Sequence, residues 1–312
     1  VADRVEFGVY IPQLAFGFDD LLARARLCEE LGIGSFWLFD HLYGPGLPQQ
    51  PSLEGWTLAT ALLSLTSTIR VGHLVLDNNL RHPVLLGKMA TTLDVISGGR
   101  LDIGIGSGSY AAEHEEGGFP WGTLTERTER LEESLEILTR MFRDERTSFE
   151  GTHYQVRNIP NLPPPVQRPR PPIHVGGVGE RFTIPLVARY ADVWNVPTYG
   201  LDRWELVAPR LDAACEEIGR DPASVRRSIE TVLVLAPDDH SLAEARARAE
   251  RRYPGPGWGL EAGGFVGTPA AVVDRVGAFI DKGISQIVFF IYDRGERETL
   301  TLLAEEVISA FR

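Results

Sequence analysis

The chain of 312 residues reads as an α/β protein folded into a (β/α)8 TIM barrel, and three observations predict this. Short β-branched or aromatic runs alternate with helical patterns from one end to the other, the mark of repeated βα units and a parallel sheet. Eight such runs are present, and eight units within about 250 to 300 residues suit a closed barrel better than an open sheet. The segment Leu31-Gly32-Ile33 before the second run is echoed by Lys282-Gly283-Ile284 before the eighth, each glycine sitting where a helix C-terminus needs positive φ.

The strands are expected at Val5–Ile11, Ser35–Phe39, Ile69–Leu76, Leu101–Ile105, Ile173–Val175, Asp192–Asn195, Ser228–Leu235 and Gln286–Ile291. Between the fourth and fifth, Leu124, Leu131, Leu135, Leu138 and Phe142 recur at helical spacing and predict a helix packed by one face. A hairpin over Ser148–Val156 turns at Glu150-Gly151. The proline-rich stretch from Pro160 to Pro172 reads as an extended connection inside one barrel, since four strands precede it and four follow. Gly255 to Gly267, with six glycines and Trp258, is a candidate lid or a plain long loop. The insertions thus fall after strands 4 and 7 of one domain spanning residues 1–312.

With 43% hydrophobic and 24% charged residues the composition is that of an ordinary globular protein. The net charge of −12, with no basic patch, argues against nucleic acid and anionic lipid as partners. Neither a membrane span nor a signal peptide is expected, which predicts a cytoplasmic protein. Cys28 and Cys215 fall in separate helical patterns and read as buried thiols, not as nucleophiles, metal ligands or a disulfide.

Barrel chemistry sits at the C-terminal ends of strands. Those ends carry Asp40-His41, Leu76-Asp77-Asn78-Asn79, Gly106-Ser107-Gly108-Ser109, Gly176-Gly177 and Asn195. Two of them are nearly free of side chains, so the backbone of Gly106, Ser107, Gly108, Gly176 and Gly177 is expected to surround a phosphate or other anion. The segment Gly176-Gly177-Val178-Gly179 is expected to lead directly into a helix carrying Glu180 and Arg181. Asp40 beside His41 suits an oriented imidazole that moves a proton.

Each feature also has a plainer reading. The glycines at 104, 106 and 108 suit tight packing beside a strand, Asp40-His41 suits a cap or a turn, and Arg81-His82-Pro83 suits a helix start. His73 and His174, inside apolar strands, read as hydrogen-bonded core residues. A Rossmann fingerprint would need glycine at Ser109, neither Ser107 nor Ser109 sits in a nucleophile elbow, and the seven histidines contain no HExxH. No metal centre is expected.

The sequence resembles the luciferase-like monooxygenase superfamily, in particular its branch of oxidoreductases using the deazaflavin coenzyme F420. The resemblance rests on FWLFDH at 36–41, the run from Arg81 to Gly108, Glu113, PVQRPRPPIHVGGVGE at 165–180 and ARYADVWN ending at Asn195. It implies a cofactor ring across the strand ends, touching Asp40, Leu74, Val75 and Val178, with the phosphate near the fourth and fifth strands. It implies a non-proline cis peptide at Leu74–Val75 and a homodimer. His41 would transfer the substrate proton, oriented by Asp40. Relatives that oxidise a sugar phosphate carry a glutamate where this chain has Ser109, and a tryptophan where it has Tyr43-Gly44-Pro45, which disfavours that substrate. Two alternatives stay open: an FMN-dependent monooxygenase served by a separate flavin reductase, and a non-catalytic flavin or deazaflavin binder.

Overall fold

The computed structural model describes residues 5–252, 260 and 264–312, and all eight expected strands close into one parallel ring. They are β1 (Glu6–Tyr10), β2 (Ser35–Leu38), β3 (Arg70–His73), β4 (Leu101–Gly106), β5 (Ile173–Gly176), β6 (Val193–Val196), β7 (Arg226–Leu235) and β8 (Gln286–Ile291). Each pairs with the next, and β1 closes the ring by pairing with β8 on one side and β2 on the other. No described helix is long and apolar enough to cross a membrane.

Two strands differ from expectation. The third stops at His73, where the Leu74–Val75 peptide is cis, and pairing with β4 resumes only at Leu76–Asp77. An additional strand, Phe265–Gly267, runs parallel to the end of β7. It lies in what the sequence suggested as a lid, while Trp258 and most of that segment fall outside the described residues.

The helices α1 (Phe18–Glu30), α2 (Gly55–Leu65), α3 (Pro83–Ser97), α4 (Ala111–Gly117) and α5 (Leu124–Arg143) serve the first half of the barrel. Pro83 opens α3, where its missing N–H costs nothing, and the His82 side chain accepts from Val84 N at 3.2 Å. In α5 the residues Leu131, Leu135, Leu138 and Phe142 are buried as the spacing predicts. Leu124 is exposed, because the first turn precedes the contact with the sheet. The hairpin follows as Arg146–Glu150 paired with Gln155–Pro160. The proline stretch then returns to β5, tied down where Asp94 Oδ2 accepts from Val166 N and Gln167 N. Both cysteines are buried and free.

The barrel interior is packed by contrast in side-chain size. Trp37 is fully buried, and a Cβ on Gly72 would lie 2.5 Å from its ring, so the glycine makes the space the indole fills. The indole N–H donates to Ser35 Oγ at 2.8 Å. Its ring lies near His174, centroids 4.9 Å apart, at the N-terminal end of the barrel. There Asp102 accepts from Arg70 Nε at 2.7 Å and meets His174 Nε2 at 3.2 Å. Burial pushes the Asp102 carboxyl up, but Arg70 and His174 overcome it and hold it at about 2.

Candidate active site

At the opposite end, the strand termini and their loops enclose a cleft of about 450 Å³, within the range of small-molecule sites. It is lined by every residue expected to move the proton or hold the cofactor: Asp40, His41, Leu74, Val75, Gly106, Ser107, Gly108, Gly176, Gly177 and Val178. The two glycine loops, 68 positions apart in sequence from Gly108 to Gly176, therefore border one space.

His41 is held from behind. Its Nδ1 lies 2.6 Å from Glu113 Oε1, and Glu113 Oε2 accepts from Leu42 N at 2.9 Å. Glu113 is completely buried on α4, while His41 keeps partial exposure toward the cleft. A carboxylate on Nδ1 fixes the proton there and leaves Nε2 as the atom that exchanges a proton with a bound molecule.

The expected orientation of His41 by Asp40 is corrected. Asp40 instead takes both guanidinium nitrogens of Arg81, at 2.6 and 2.9 Å, and the backbone N–H of Asp77 at 2.9 Å. Successive residues of extended chain send their side chains to opposite sides, so neighbours in sequence are poorly placed to pair. Asp40 keeps its place in the cleft wall with its oxygens fixed by Arg81, which Glu54 also contacts at 2.5 Å.

The glycine loops also need correction in detail. Gly106 seats the chain beside the cis peptide, since a Cβ would come within 2.8 Å of Val75 Cγ2. Gly177 N donates to Asn195 O at 2.9 Å, so that amide is committed to the sheet. The helix expected straight after Gly179 starts later, as α6 (Thr183–Tyr190), and the Glu180 carboxylate is paired with Arg203 and Arg210. Among the described residues, no protein acceptor meets the backbone N–H of Ser107, Gly108, Val178 or Gly179. These four are the amides left for an anion.

Glu230, on β7, was not anticipated. It lines the same cleft, and burial pushes its carboxyl up to about 7 despite a backbone hydrogen bond from Thr198. Asp77, Glu113 and His114 place one ligand-type atom each within 4.8 Å of one another. Glu113 is already committed to His41 and Leu42, whereas Asp77 Oδ2 and His114 Nε2 lie 3.3 Å apart with no hydrogen-bond partner.

Fold and cleft together define a TIM barrel with a candidate small-molecule site at its C-terminal rim. The sequence profile of the luciferase-like monooxygenase family matches residues 4–262, and the chain belongs to that family. It is 28% identical to an F420-dependent glucose-6-phosphate dehydrogenase of Microbacterium testaceum, covering 99% of this chain and 98% of that one. It is 27% identical to an F420-dependent hydroxymycolic acid dehydrogenase of Mycobacterium tuberculosis, over 76% of this chain and 65% of that one. In fold it is similar to a coenzyme F420-dependent tetrahydromethanopterin reductase from Methanopyrus kandleri, with a TM-score of 0.81, 18% identity and coverage of 99% and 100%.

Proposed function

We propose that this chain is a coenzyme F420-dependent oxidoreductase that moves a hydride between the deazaflavin and a small organic substrate. The observation that carries the reading is the His41–Glu113 pair, aimed into a cleft bordered by four unpaired amides. The residues present fit the group: a flat wall at Leu74 and Val75 for a ring, and the amides of Ser107, Gly108, Val178 and Gly179 for a phosphate. When bound, the deazaflavin supplies the carbon that gives or takes the hydride.

Nε2 of His41 takes the hydroxyl proton of an alcohol as its carbon loses hydride, or returns a proton to a carbonyl in the reverse direction. Glu113 stabilises the charge that then forms on the imidazole. Asp40, fixed by Arg81, is placed to contact the cofactor. Ser109 stands in the cleft wall where sugar-phosphate oxidisers carry glutamate, which supports a different small substrate. The reading includes a homodimer, to be checked by sedimentation.

The test is an anaerobic titration of the purified chain with coenzyme F420 and with FMN, repeated on His41→Ala. The variant is expected to bind F420 as the wild type does and to lose turnover. Tight FMN binding without F420 binding would replace this reading with the monooxygenase one, and full turnover by His41→Ala would remove the proton-transfer role.

A further inference from the structure

We infer that Asn79 sets the direction of the Gly108 amide, through a brace running from Asp77 to Asn79 to the Ser107 carbonyl. The inference rests on the cofactor reading above and deepens it, by naming what makes one edge of the cleft a phosphate site.

The brace is built from its buried end. His114 is fully buried, and its Nδ1 meets Tyr110 O at 3.1 Å, which accounts for the proton on that nitrogen. Its Nε2 packs 3.3 Å from Asp77 Oδ2 with no hydrogen bond between them, so the brace proper begins at Asp77. The other oxygen, Asp77 Oδ1, accepts from Asn79 N at 2.8 Å and from Asn79 Nδ2 at 2.9 Å. The same Nδ2 donates to Ser107 O at 2.9 Å. Two acceptors thus converge on one end of the Asn79 amide. Turning the amide over would place its oxygen against two oxygens, so the orientation is determined by the network.

The consequence lies in one peptide plane. Because the Ser107–Gly108 peptide is planar and trans, its N–H points opposite to its carbonyl. With Ser107 O held by Asn79, Gly108 N–H is directed away from the brace, in a loop whose residues line the cleft. A flipped peptide would turn a carbonyl toward the anion and repel it. Gly108 has φ of +86°, and a Cβ there would lie 2.7 Å from Asp77 Oδ2 and 2.9 Å from Asn79 Nδ2. The loop rests directly on the brace, and only glycine fits between them. The helix α4 thus carries both Glu113, which holds His41, and His114, which packs against Asp77.

The experiment measures dissociation constants by optical titration for wild type, Asn79→Ala and Asn79→Asp. The probes are coenzyme F420 and the tail-less deazaflavin, which has the same ring and ribityl chain but no phosphate. Losing one amide aimed at a charged group is expected to weaken F420 binding about tenfold in Asn79→Ala. In Asn79→Asp, where an oxygen faces Ser107 O, the loss is expected to be greater. The tail-less probe should change by less than about twofold in either variant. Unchanged F420 binding, equal losses for both probes, or failure of both variants to fold would overturn the brace as a phosphate-positioning device. A wild type that binds neither deazaflavin but binds FMN would overturn the cofactor reading alone. FMN against riboflavin then gives the same contrast, and the brace is judged on that pair.

Discussion

The two ends of the barrel use the same ingredients for opposite purposes. At the N-terminal end, one carboxylate, Asp102, serves both an arginine and a histidine, and Asp102 and His174 are buried, the imidazole against Trp37. At the C-terminal end the two partnerships are separated. Asp40 takes Arg81, Glu113 takes His41, and the imidazole is left with one nitrogen facing a cleft. A histidine whose partners are all internal is a strut. A histidine held on one side only, by a carboxylate from a distant helix, is poised to react.

The sharpest way to test this comparison is to delete each histidine. His41→Ala is expected to lower kcat by roughly 10²–10⁴-fold with little change in melting temperature, whereas His174→Ala should lower the melting temperature and spare kcat. Matching profiles for the two variants would break the distinction. Next in size, Asp102→Ala strips the half-buried Arg70 and the buried His174 of their shared carboxylate and should cost about 3 kcal/mol in denaturant unfolding. The pH dependence has a defined sign. With Asp102 at about 2 in the fold and 3.8 ordinarily, its stabilisation is complete above pH 3.8 and is lost as pH falls through that interval, by about 2 kcal/mol.

Glu230 provides an effect of opposite sign. Its folded value of about 7 lies above the usual 4.5, so the folded protein holds an extra proton between those values, and stability declines as pH rises through them. Glu230→Gln should therefore gain about 2–4 °C more over wild type at pH 8 than at pH 5 by calorimetry. No pH-dependent gain would mean the carboxylate is well solvated in the cleft.

The barrel was legible because its signals are local. Each strand is a short run of apolar residues bounded by turn chemistry, and Gly32 and Gly283 do have positive φ at the ends of their helices. The position of the site followed from where strands end. Residue roles were less legible. Asp40 and His41 are adjacent in sequence and so suggested a pair, yet alternation along extended chain separates them. Glu113 stood among the residues of the family resemblance without a role, because nothing at 72 positions' remove reveals that α4 lays it against His41. Gly177 and Gly106 looked alike on the page, and only strand pairing shows that one amide is spent on Asn195 O while the other glycine makes room for Val75. Glu230 carried no signal at all, being one polar residue in an otherwise ordinary strand.

The placement of Glu113 and His114 side by side on a helix of seven residues has a bearing on how this protein can diverge. One residue gained or lost within the helix between Ala111 and Glu113 would rotate that turn by about 100° and swing both side chains away from His41 and Asp77 together. The span is therefore locked in length, and new specificities must be written into the loops around it, where insertions leave the grip on His41 and Asp77 intact.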